Sequence, residues 1–451
     1  MPDSVPDSNG MLAAVSQACG VKIPELYLPA PETDLTRFAV VACDQFTSEP
    51  EYWEETARIV GSAPSALHLV LPEYYLEHPG ETSVESRIDS INTAMRDYLK
   101  QGVLQSIGTA AVVLKRTPPG ANGRLGLVLA IDLDKYDYKP GNRNLIRASE
   151  GTVLDRIPPR VAIRRDAPLE LPHVQLLIDD PEHSVIEPLF RAAEQQGEPL
   201  YDFELMQGGG HLAGYKITPE NPDLLAALDN LANLESGRRD GMLFAVGDGN
   251  HSLATAKTHY DNNKAVFGPD HPARYALVEI INIHDSGLEF EPIHRVIFNI
   301  EPELFRQTVA AFFGSEASIT AAAEPLPAKP EMLPAAVAYS DGSLVLPLLQ
   351  PDGCRLLNLA KPAGGSLLAA ERVSGLIDLL VEQQGGRVDY IHGNAAMLSL
   401  AANGASGLLL PVLEKNDFFT AIAREGVLPR KTFSMGEAHE KRYYLEARKI
   451  I

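Results

Sequence analysis

Two glycines, Gly247 and Gly249, stand between an apolar run and the start of a helical pattern. Because glycine has no Cβ, it lets the chain turn sharply, so that several backbone N–H groups can point outward together. The first amides of a helix have no partner within the helix, and they lie at the positive end of its dipole. The spacing therefore predicts a site for an anion such as phosphate, provided that these amides are unpaired and open to solvent.

Polar residues in the same turn could act on such a ligand. Asp248 could place a metal ion or a hydroxyl group, and His251 could donate to a phosphate oxygen; both are candidate catalytic residues, and Asp248 is also the candidate metal ligand. The candidate phosphate-binding residues of the turn are Gly247, Gly249, Asn250 and Ser252. The alternative is a turn that only joins a strand to a helix, with Asn250 capping the helix and His251 satisfied by a neighbouring carbonyl.

Glu150 is a candidate catalytic residue outside the turn. It stands in a polar stretch between Arg147 and Arg156. A carboxylate that reached the turn could act as general base toward a substrate hydroxyl. The alternative is a surface ion pair with a neighbouring arginine.

Three basic residues further along the chain are also candidates for binding phosphate. His294 and Arg295 follow a predicted strand edge and could offset negative charge on a transferring phosphoryl group; the alternative is a capped strand end. Lys431 lies on an extended segment two residues after a proline. It would contribute only if the C-terminal half folded back onto the turn, and otherwise it is an ordinary exposed residue.

The cofactor that these residues favour is Mg2+ arriving with a nucleotide. The chain has no H-E-x-x-H or paired-cysteine spacing, so a zinc site is not supported. Asp248, His251 and His294 could form a metal site, but a loosely held Mg2+ fits these ligands better. The turn matches neither the Walker pattern nor the dinucleotide pattern G-x-G-x-x-G.

Composition restricts the possible partners. The 451 residues include 60 acidic and 39 basic ones, and the resulting net charge of −21 disfavours binding to nucleic acid. Three cysteines without a paired spacing fit a reducing compartment. The first residues are acidic and Pro-rich, and no apolar run approaches the length of a membrane span, so we expect a cytoplasmic protein.

The elements that would position the turn follow from apolar periodicity. Residues 242–246 predict a buried strand, a helix follows to about Tyr260, and another strand covers 275–283. We predict an α+β fold with a mixed-sheet main domain, which carries the strand-turn-helix anion cradle, and a smaller C-terminal α/β part. The predicted ranges are a polar tail at 1–13, the main domain at 14–300, a connecting region at 301–345 and the C-terminal part at 346–451.

Residues 248–252 resemble the D-G-[HN]-H-[RS] signature of domain-of-unknown-function family 1015, a prokaryotic family without an agreed activity. Three further stretches resemble elements of that family: 291–295 its P-x-H-R element, 429–432 its P-x-K-[ST] element, and 147–152 its R-x-H-E-x-T element. The resemblance therefore covers most of the chain.

This sequence departs from the family pattern in the turn and in one other element. Asn250 occupies a position that has His in the pattern, Ser252 a position that has Arg, and Ser149 a position that has His. Because Ser252 removes a bidentate phosphate donor, the departure argues against tight triphosphate binding. The turn alone also resembles the phosphate-contacting turn of the ParB-like superfamily, which includes nucleotide-hydrolysing partition proteins and free-serine kinases.

The leading hypothesis is phosphoryl transfer or nucleotide hydrolysis, with a small-molecule phosphate or nucleotide as ligand. One alternative is a module that binds a nucleotide or phosphorylated metabolite without turnover. A second alternative is a ParB-like partition protein, although the sequence has no helix-turn-helix with a basic recognition helix. A homo-oligomer is compatible with each hypothesis.

Overall fold

The computed structural model describes residues 8–47, 49–78, 80, 82–234, 239–323, 325–364 and 366–451. The chain divides into two compact units. The first unit is Met1–Glu289 together with Gly436–Ile451, and the second unit is Phe290–Met435.

The helices of the described residues are, in chain order, α1 (Ser8–Cys19), α2 (Leu35–Phe38), α3 (Pro50–Val60), α4 (Tyr74–Glu77), α5 (Val84–Lys100), α6 (Ile157–Arg165), α7 (Ile186–Gln196), α8 (Pro222–Ala232), α9 (Asn250–Phe267), α10 (Pro302–Phe313), α11 (Ala369–Glu382), α12 (Asn394–Ala402) and α13 (Lys415–Glu425).

The strands are β1 (Val21–Lys22), β2 (Glu25–Pro29), β3 (Val40–Val41), β4 (Leu104–Thr109), β5 (Ala111–Thr117), β6 (Arg124–Asp132), β7 (Tyr136–Asp137), β8 (Ile146–Arg147), β9 (Leu169–Glu170), β10 (Gln175–Ile178), β11 (Tyr201–Leu205), β12 (Gly210–Ile217), β13 (Phe244–Asp248), β14 (Tyr275–Asn282), β15 (Phe290–Pro292), β16 (His294–Phe298), β17 (Ala317–Ala323), β18 (Val337–Ala338), β19 (Leu344–Gln350), β20 (Gly353–Leu359), β21 (Arg387–Ile391), β22 (Ser406–Leu408), β23 (Phe433–Met435), β24 (Tyr443–Tyr444) and β25 (Arg448–Lys449).

A ten-stranded mixed sheet forms the centre of the first unit. Its order is β11-β12-β5-β6-β14-β10-β13-β8-β7, with β1 added beside β6. The pairs β10–β14, β13–β8 and β7–β8 are parallel, and the others are antiparallel. This mixed sheet with its helices confirms the predicted α+β class.

Both faces of this sheet are covered, and alternate residues of one strand face different cores. In β6, Leu127 and Leu129 pack into one apolar cluster, whereas Val128 between them packs into the other. Since successive side chains of a strand point to opposite faces, this is the burial expected of a sheet between two layers. It explains why the central strands are almost continuously apolar.

The last residues of the chain complete the first unit. β24 pairs with β3, and β25 pairs with β9, both antiparallel. Directly before β24, buried Arg442 donates to the Pro172 carbonyl (2.9 Å), to Glu279 Oε2 (2.5 Å) and to Glu446 Oε2 (2.7 Å). A buried guanidinium is stable only while it keeps its hydrogen bonds to the carboxylate and carbonyl acceptors around it.

The second unit has its own sheet and its own core. The sheet order is β17-β20-β19-β22-β16-β21, with β18 beside β19, and β15 pairs separately with β23. Helices α10 and α11 supply Phe305, Val309 and Val373 to the apolar cluster that packs against β19 and β20.

These units differ from the predicted ranges in four places. Residues 290–300 belong to the second unit, whereas the prediction put them in the main domain. Residues 436–451 belong to the first unit, whereas the prediction put them in the C-terminal part. The region 301–345 contains α10 and β17, and β17 pairs along its length with β20. Residues 8–13 of the predicted tail belong to α1, and residues 1–7 lie outside the described residues.

Among the described helices, none combines the length and the apolar content needed to cross a membrane.

Substitution Arg442→Ala should lower the free energy of unfolding of the first unit by about 3–5 kcal/mol, because it leaves buried Glu446 without its cation and buried Glu279 with Arg124 alone. The chain's single tryptophan, Trp53, is buried in the first unit, so its fluorescence during urea denaturation reports this change. Arg58→Ala is the control, since Arg58 pairs with Glu55 on the surface and should leave the urea midpoint unchanged. Equal midpoints for the two variants would contradict the prediction.

Candidate functional site

The predicted strand-turn-helix is present in the first unit. β13 ends at Asp248, Gly249 adopts φ +80°, and α9 begins at Asn250. A Cβ on Gly249 would lie 3.0 Å from Val174 Cα and 3.3 Å from His173 Cδ2. Both the backbone conformation and the close neighbours therefore require glycine here. The strand runs two residues further than the predicted 242–246, and the helix continues to Phe267.

The start of α9 keeps backbone donors for a ligand. Gly249 is the N-cap, and no side chain caps the helix. The Gly249 N–H donates to Asp248 Oδ1 (2.8 Å), so one donor of the turn is already used. Within the described residues, the N–H groups of Asn250 and Ser252 have no hydrogen-bond partner, and both residues are partly exposed. The turn is thus partly open to an anion.

Asn250 and His251 hold a neighbouring segment against the turn. Asn250 Oδ1 accepts from the Ser149 N–H (3.2 Å), and Asn250 Nδ2 donates to Ser149 Oγ (3.2 Å). His251 Nε2 accepts from the Val153 N–H (3.1 Å), which places the proton of the neutral ring on Nδ1. Glu150 lies between these two anchors in the chain. Asn250 therefore does not cap its own helix, and the segment that carries Glu150 packs on the turn.

Asp248 forms an ion pair with a lysine from the end of the chain. Lys441 Nζ lies 3.2 Å from Asp248 Oδ2, and their side chains are 9% and 22% exposed. Burial raises the pKa of Asp248, but the charges of Lys441 and His173 and the hydrogen bonds from Lys441 and Gly249 outweigh it, so that this pKa lies below its ordinary value. Asp248 is therefore ionised at neutral pH, and a positive charge lies beside the start of α9.

Helix α6 runs beside α9 in the same direction. The segment before α6 is bonded to His251 at the start of α9. At the other end of α6, Arg164 and Arg165 lie near His259 in the third turn of α9; burial and these charges lower the pKa of His259 to about 4. The two N-termini therefore lie at the same end of the pair, where their dipoles add.

Exposed Arg156 is the N-cap residue of α6. Its N–H donates to the Val153 carbonyl (3.0 Å), which keeps it one turn from the residue that binds His251. Neither α6 nor α9 has an acidic residue in its first turn or a side-chain cap. A cation at the positive end of a helix is locally unfavourable, so an anion bound near Arg156 would be stabilised there.

The candidates His294, Arg295 and Lys431 lie in the second unit. Buried His294 accepts from the Leu410 N–H at Nδ1 (3.1 Å), and burial lowers its pKa to about 4, so it is neutral at pH 7. Buried Arg295 Nη1 donates to the carbonyls of Ile293 (2.6 Å) and Lys431 (3.0 Å). The structure thus brings Arg295 and Lys431 together through the backbone of Lys431, and a phosphate-binding role for the three stays a prediction.

No group of three or more His, Cys, Asp or Glu side chains in the described part of the chain is arranged to hold a metal ion. At Asp248, one carboxylate oxygen accepts from Gly249 and the other pairs with Lys441. The predicted coordination of Mg2+ by Asp248 stays a prediction for a state with a bound nucleotide.

Sequence reasoning did not connect Lys441, Arg156 or the His173 side chain with the turn. Lys441 is 193 positions from Asp248 in the chain, and it reaches the turn only because β24 pairs with β3. The one local signal was the cationic stretch of residues 441–442 in an acidic protein. His173 had no signal, since a single histidine before a strand is common.

A family model described as "Protein of unknown function (DUF1015)" matches residues 25–367. No curated protein matches the chain. Among solved structures, the chain is similar to a conserved hypothetical protein from Pyrococcus furiosus, with 12% identity, 70% of this chain and 90% of that chain covered, and a TM-score of 0.32.

Two other solved structures are similar to the chain. A free serine kinase mutant in complex with ADP has 11% identity, covers 70% of this chain and 90% of its own, and gives a TM-score of 0.37. SbnI from Staphylococcus aureus with a C-terminal truncation has 10% identity, covers 69% and 82%, and gives a TM-score of 0.32.

Substitution Gly249→Ala should destabilise the first unit by about 1–3 kcal/mol and displace His173, because the new methyl group adds a close contact to an unfavourable φ. Gly241→Ala is the matched control: Gly241 also has φ +80°, but a Cβ there would meet nothing within 4 Å. Urea denaturation followed by Trp53 fluorescence measures both. A loss for Gly249→Ala no larger than that for Gly241→Ala would show that the contact with His173 and Val174 is unimportant.

Proposed function

The chain belongs to the DUF1015 family of proteins of unknown function, and we propose from its own residues that it binds a phosphate-bearing small molecule, a nucleotide, at the start of α9. The observation that carries this proposal is the uncapped and partly exposed N-terminus of α9, with Lys441 beside it. Backbone donors, a helix dipole and a buried ammonium group all favour a negative ligand at that position.

The charges around the turn support an anion rather than a cation. Arg156 contributes positive charge and the adjacent helix starts add to it, whereas the charge of Lys441 is balanced by its ion pair with Asp248. Asp248 is the carboxylate of the turn itself, and its charge is already neutralised by Lys441. Lys441 and Arg156 would take the place of the arginine that the family resemblance implies at position 252.

The activity that we propose for this site is phosphoryl transfer or nucleotide hydrolysis. The amides of Asn250 and Ser252 would hold phosphate oxygens, and Lys441 would offset the charge that develops during transfer. Glu150, in the segment that packs on the turn, is one candidate for the base, as the sequence predicts. Mg2+ would arrive with the nucleotide.

A non-catalytic binding module is the second candidate. It is favoured by one observation: the side chains of Asn250 and His251 are engaged with Ser149 and Val153, as in a structural turn. Measuring phosphate release together with binding separates this candidate from an enzyme. The partition-protein hypothesis stays a prediction, and a mobility shift with duplex DNA at low salt would test it.

Isothermal titration of the full chain against ATP, ADP and CTP with Mg2+, and against inorganic phosphate, tests the proposed function. We expect heat of binding with at least one nucleotide. The absence of heat with all four would refute the proposal.

Substitution Lys441→Gln should weaken binding of the nucleotide found in that titration by about 10- to 100-fold, because a hydrogen bond to a charged group contributes about 1.5–3 kcal/mol. Lys449→Gln is the control, since Lys449 is an exposed lysine of the same C-terminal segment. We expect its dissociation constant to equal that of the unaltered protein. If both variants bind equally well, Lys441 does not contact the ligand.

Substitution Arg156→Gln should weaken nucleotide binding about 3- to 10-fold and reduce the dependence of affinity on salt, because one exposed cation is lost near the phosphates. Arg165→Gln removes an exposed arginine from the opposite end of the same helix and should change neither quantity. Titrations at low and high KCl measure both. The same salt dependence in the two variants would contradict a role for Arg156.

A further inference from the structure

Asp44, His173 and Tyr444 form a polar cluster beside the turn that the proposed function does not use. All three belong to the first unit. His173 precedes β10, and Tyr444 lies on β24, which is paired with β3 just before Asp44. His173 Cδ2 lies next to Gly249, where a Cβ would meet it at 3.3 Å. The cluster therefore adjoins the place where a phosphate would bind.

The hydrogen bonds of Tyr444 bear on the tautomer of His173. The Cys43 N–H donates to the Tyr444 hydroxyl oxygen (3.1 Å), so the hydroxyl proton is available for His173 Nδ1, 2.7 Å away. Burial raises the pKa of Tyr444 well above its ordinary value, so Tyr444 keeps that proton. With Tyr444 as the donor to Nδ1, rather than to the Cys43 side chain with which it also pairs, a neutral His173 carries its own proton on Nε2.

Nε2 of His173 faces a carboxylate across a short gap. It lies 4.0 Å from Asp44 Oδ2, and the two side chains are 12% and 26% exposed. The other oxygen, Asp44 Oδ1, accepts from Gln45 Nε2 (2.9 Å), which orients the carboxylate. A distance of 4.0 Å is too long for a direct hydrogen bond, but an oxygen atom at about 2.8 Å from both groups would bridge it.

We propose that Asp44 and His173 bind the hydroxyl group of the phosphoryl acceptor, a small alcohol or water, and that Asp44 is the general base for its transfer. The hydroxyl donates to Asp44 Oδ2 and accepts from His173 Nε2. Because Nε2 is bonded to Cδ2, which adjoins Gly249, this hydroxyl lies alongside the anion site. This inference rests on the proposed function and names the second substrate of that site.

The chemical step is balanced without a further reactant. The O–H bond of the acceptor breaks and its proton moves to Asp44 Oδ2, while the acceptor oxygen forms a bond to phosphorus. The bond from phosphorus to the leaving oxygen breaks, and its electron pair stays on the nucleotide that leaves. Asp44 then returns the proton to solvent. His173 keeps its Nε2 proton and positions the acceptor oxygen.

Substitution Asp44→Asn in the full chain is the test. With Mg·ATP and Mg·ADP as donors, and water, glycerol, ethanolamine and L-serine as acceptors, we expect kcat to fall at least 100-fold, as for loss of a general base. The dissociation constant of the nucleotide should stay within twofold. Asp89→Asn, the same change at an exposed position of α5, should leave both quantities unchanged. Trp53 fluorescence checks that each variant is folded.

Two kinetic results would overturn the proposal while the proposed function stands. One is a wild-type kcat for Asp44→Asn in a protein that binds nucleotide. The other is a loss of turnover in Glu150→Gln that Asp44→Asn does not share, since Glu150 would then be the base.

If no nucleotide binds, or if none is turned over, the hydroxyl site can still be tested by a measurement that does not depend on turnover. Nitrogen-15 NMR of His173 should show the proton on Nε2, and millimolar amounts of the three hydroxyl compounds should shift the Nε2 resonance in the unaltered protein but not in Asp44→Asn. A proton on Nδ1, or no shift with any compound, overturns the hydroxyl site. Failure to bind nucleotide refutes only the proposed function.

Discussion

The buried charges of Arg442, Glu279 and Glu446 are the interaction on which the candidate site depends. Charged groups that leave water lose several kcal/mol of solvation each, and they regain it only when their partners are in place. This requirement fixes the position of residue 442 within the first unit. Its neighbours in the chain are fixed with it: Lys441 reaches Asp248, and Tyr444 reaches His173. The buried charges therefore position the side chains of the candidate site, although they are not themselves part of that site.

Local features of the structure could be predicted from sequence, because they depend on near neighbours in the chain. Gly247 and Gly249 predicted a turn between a strand and a helix, and the structure has such a turn at these residues. The α+β class followed in the same way from apolar periodicity. The sequence could not show that the turn packs against His173 and Val174, since that contact joins segments 75 positions apart.

The roles of individual polar residues could be predicted less well. His294 resembled a cationic ligand, but burial makes it a neutral acceptor for the Leu410 amide. Asn250 resembled a helix cap, but its side chain pairs with Ser149. In both cases the residue type allows several hydrogen-bonding roles, and only tertiary packing selects one. Lys441 is a different case: the cationic stretch of residues 441–442 was visible in the sequence, but nothing in it indicated a contact with Asp248.

The arrangement of the two units along the chain has a consequence for biosynthesis. The chain leaves the first unit at Glu289 and returns at Gly436, whose N–H donates to the Glu289 carbonyl (3.1 Å). The ribosome therefore makes all of the second unit before it makes Lys441. A nascent chain already contains the glycine turn, but it gains the cation beside that turn only after residue 441 has left the exit tunnel. Chains that end before residue 441 therefore lack the ion pair between Lys441 and Asp248.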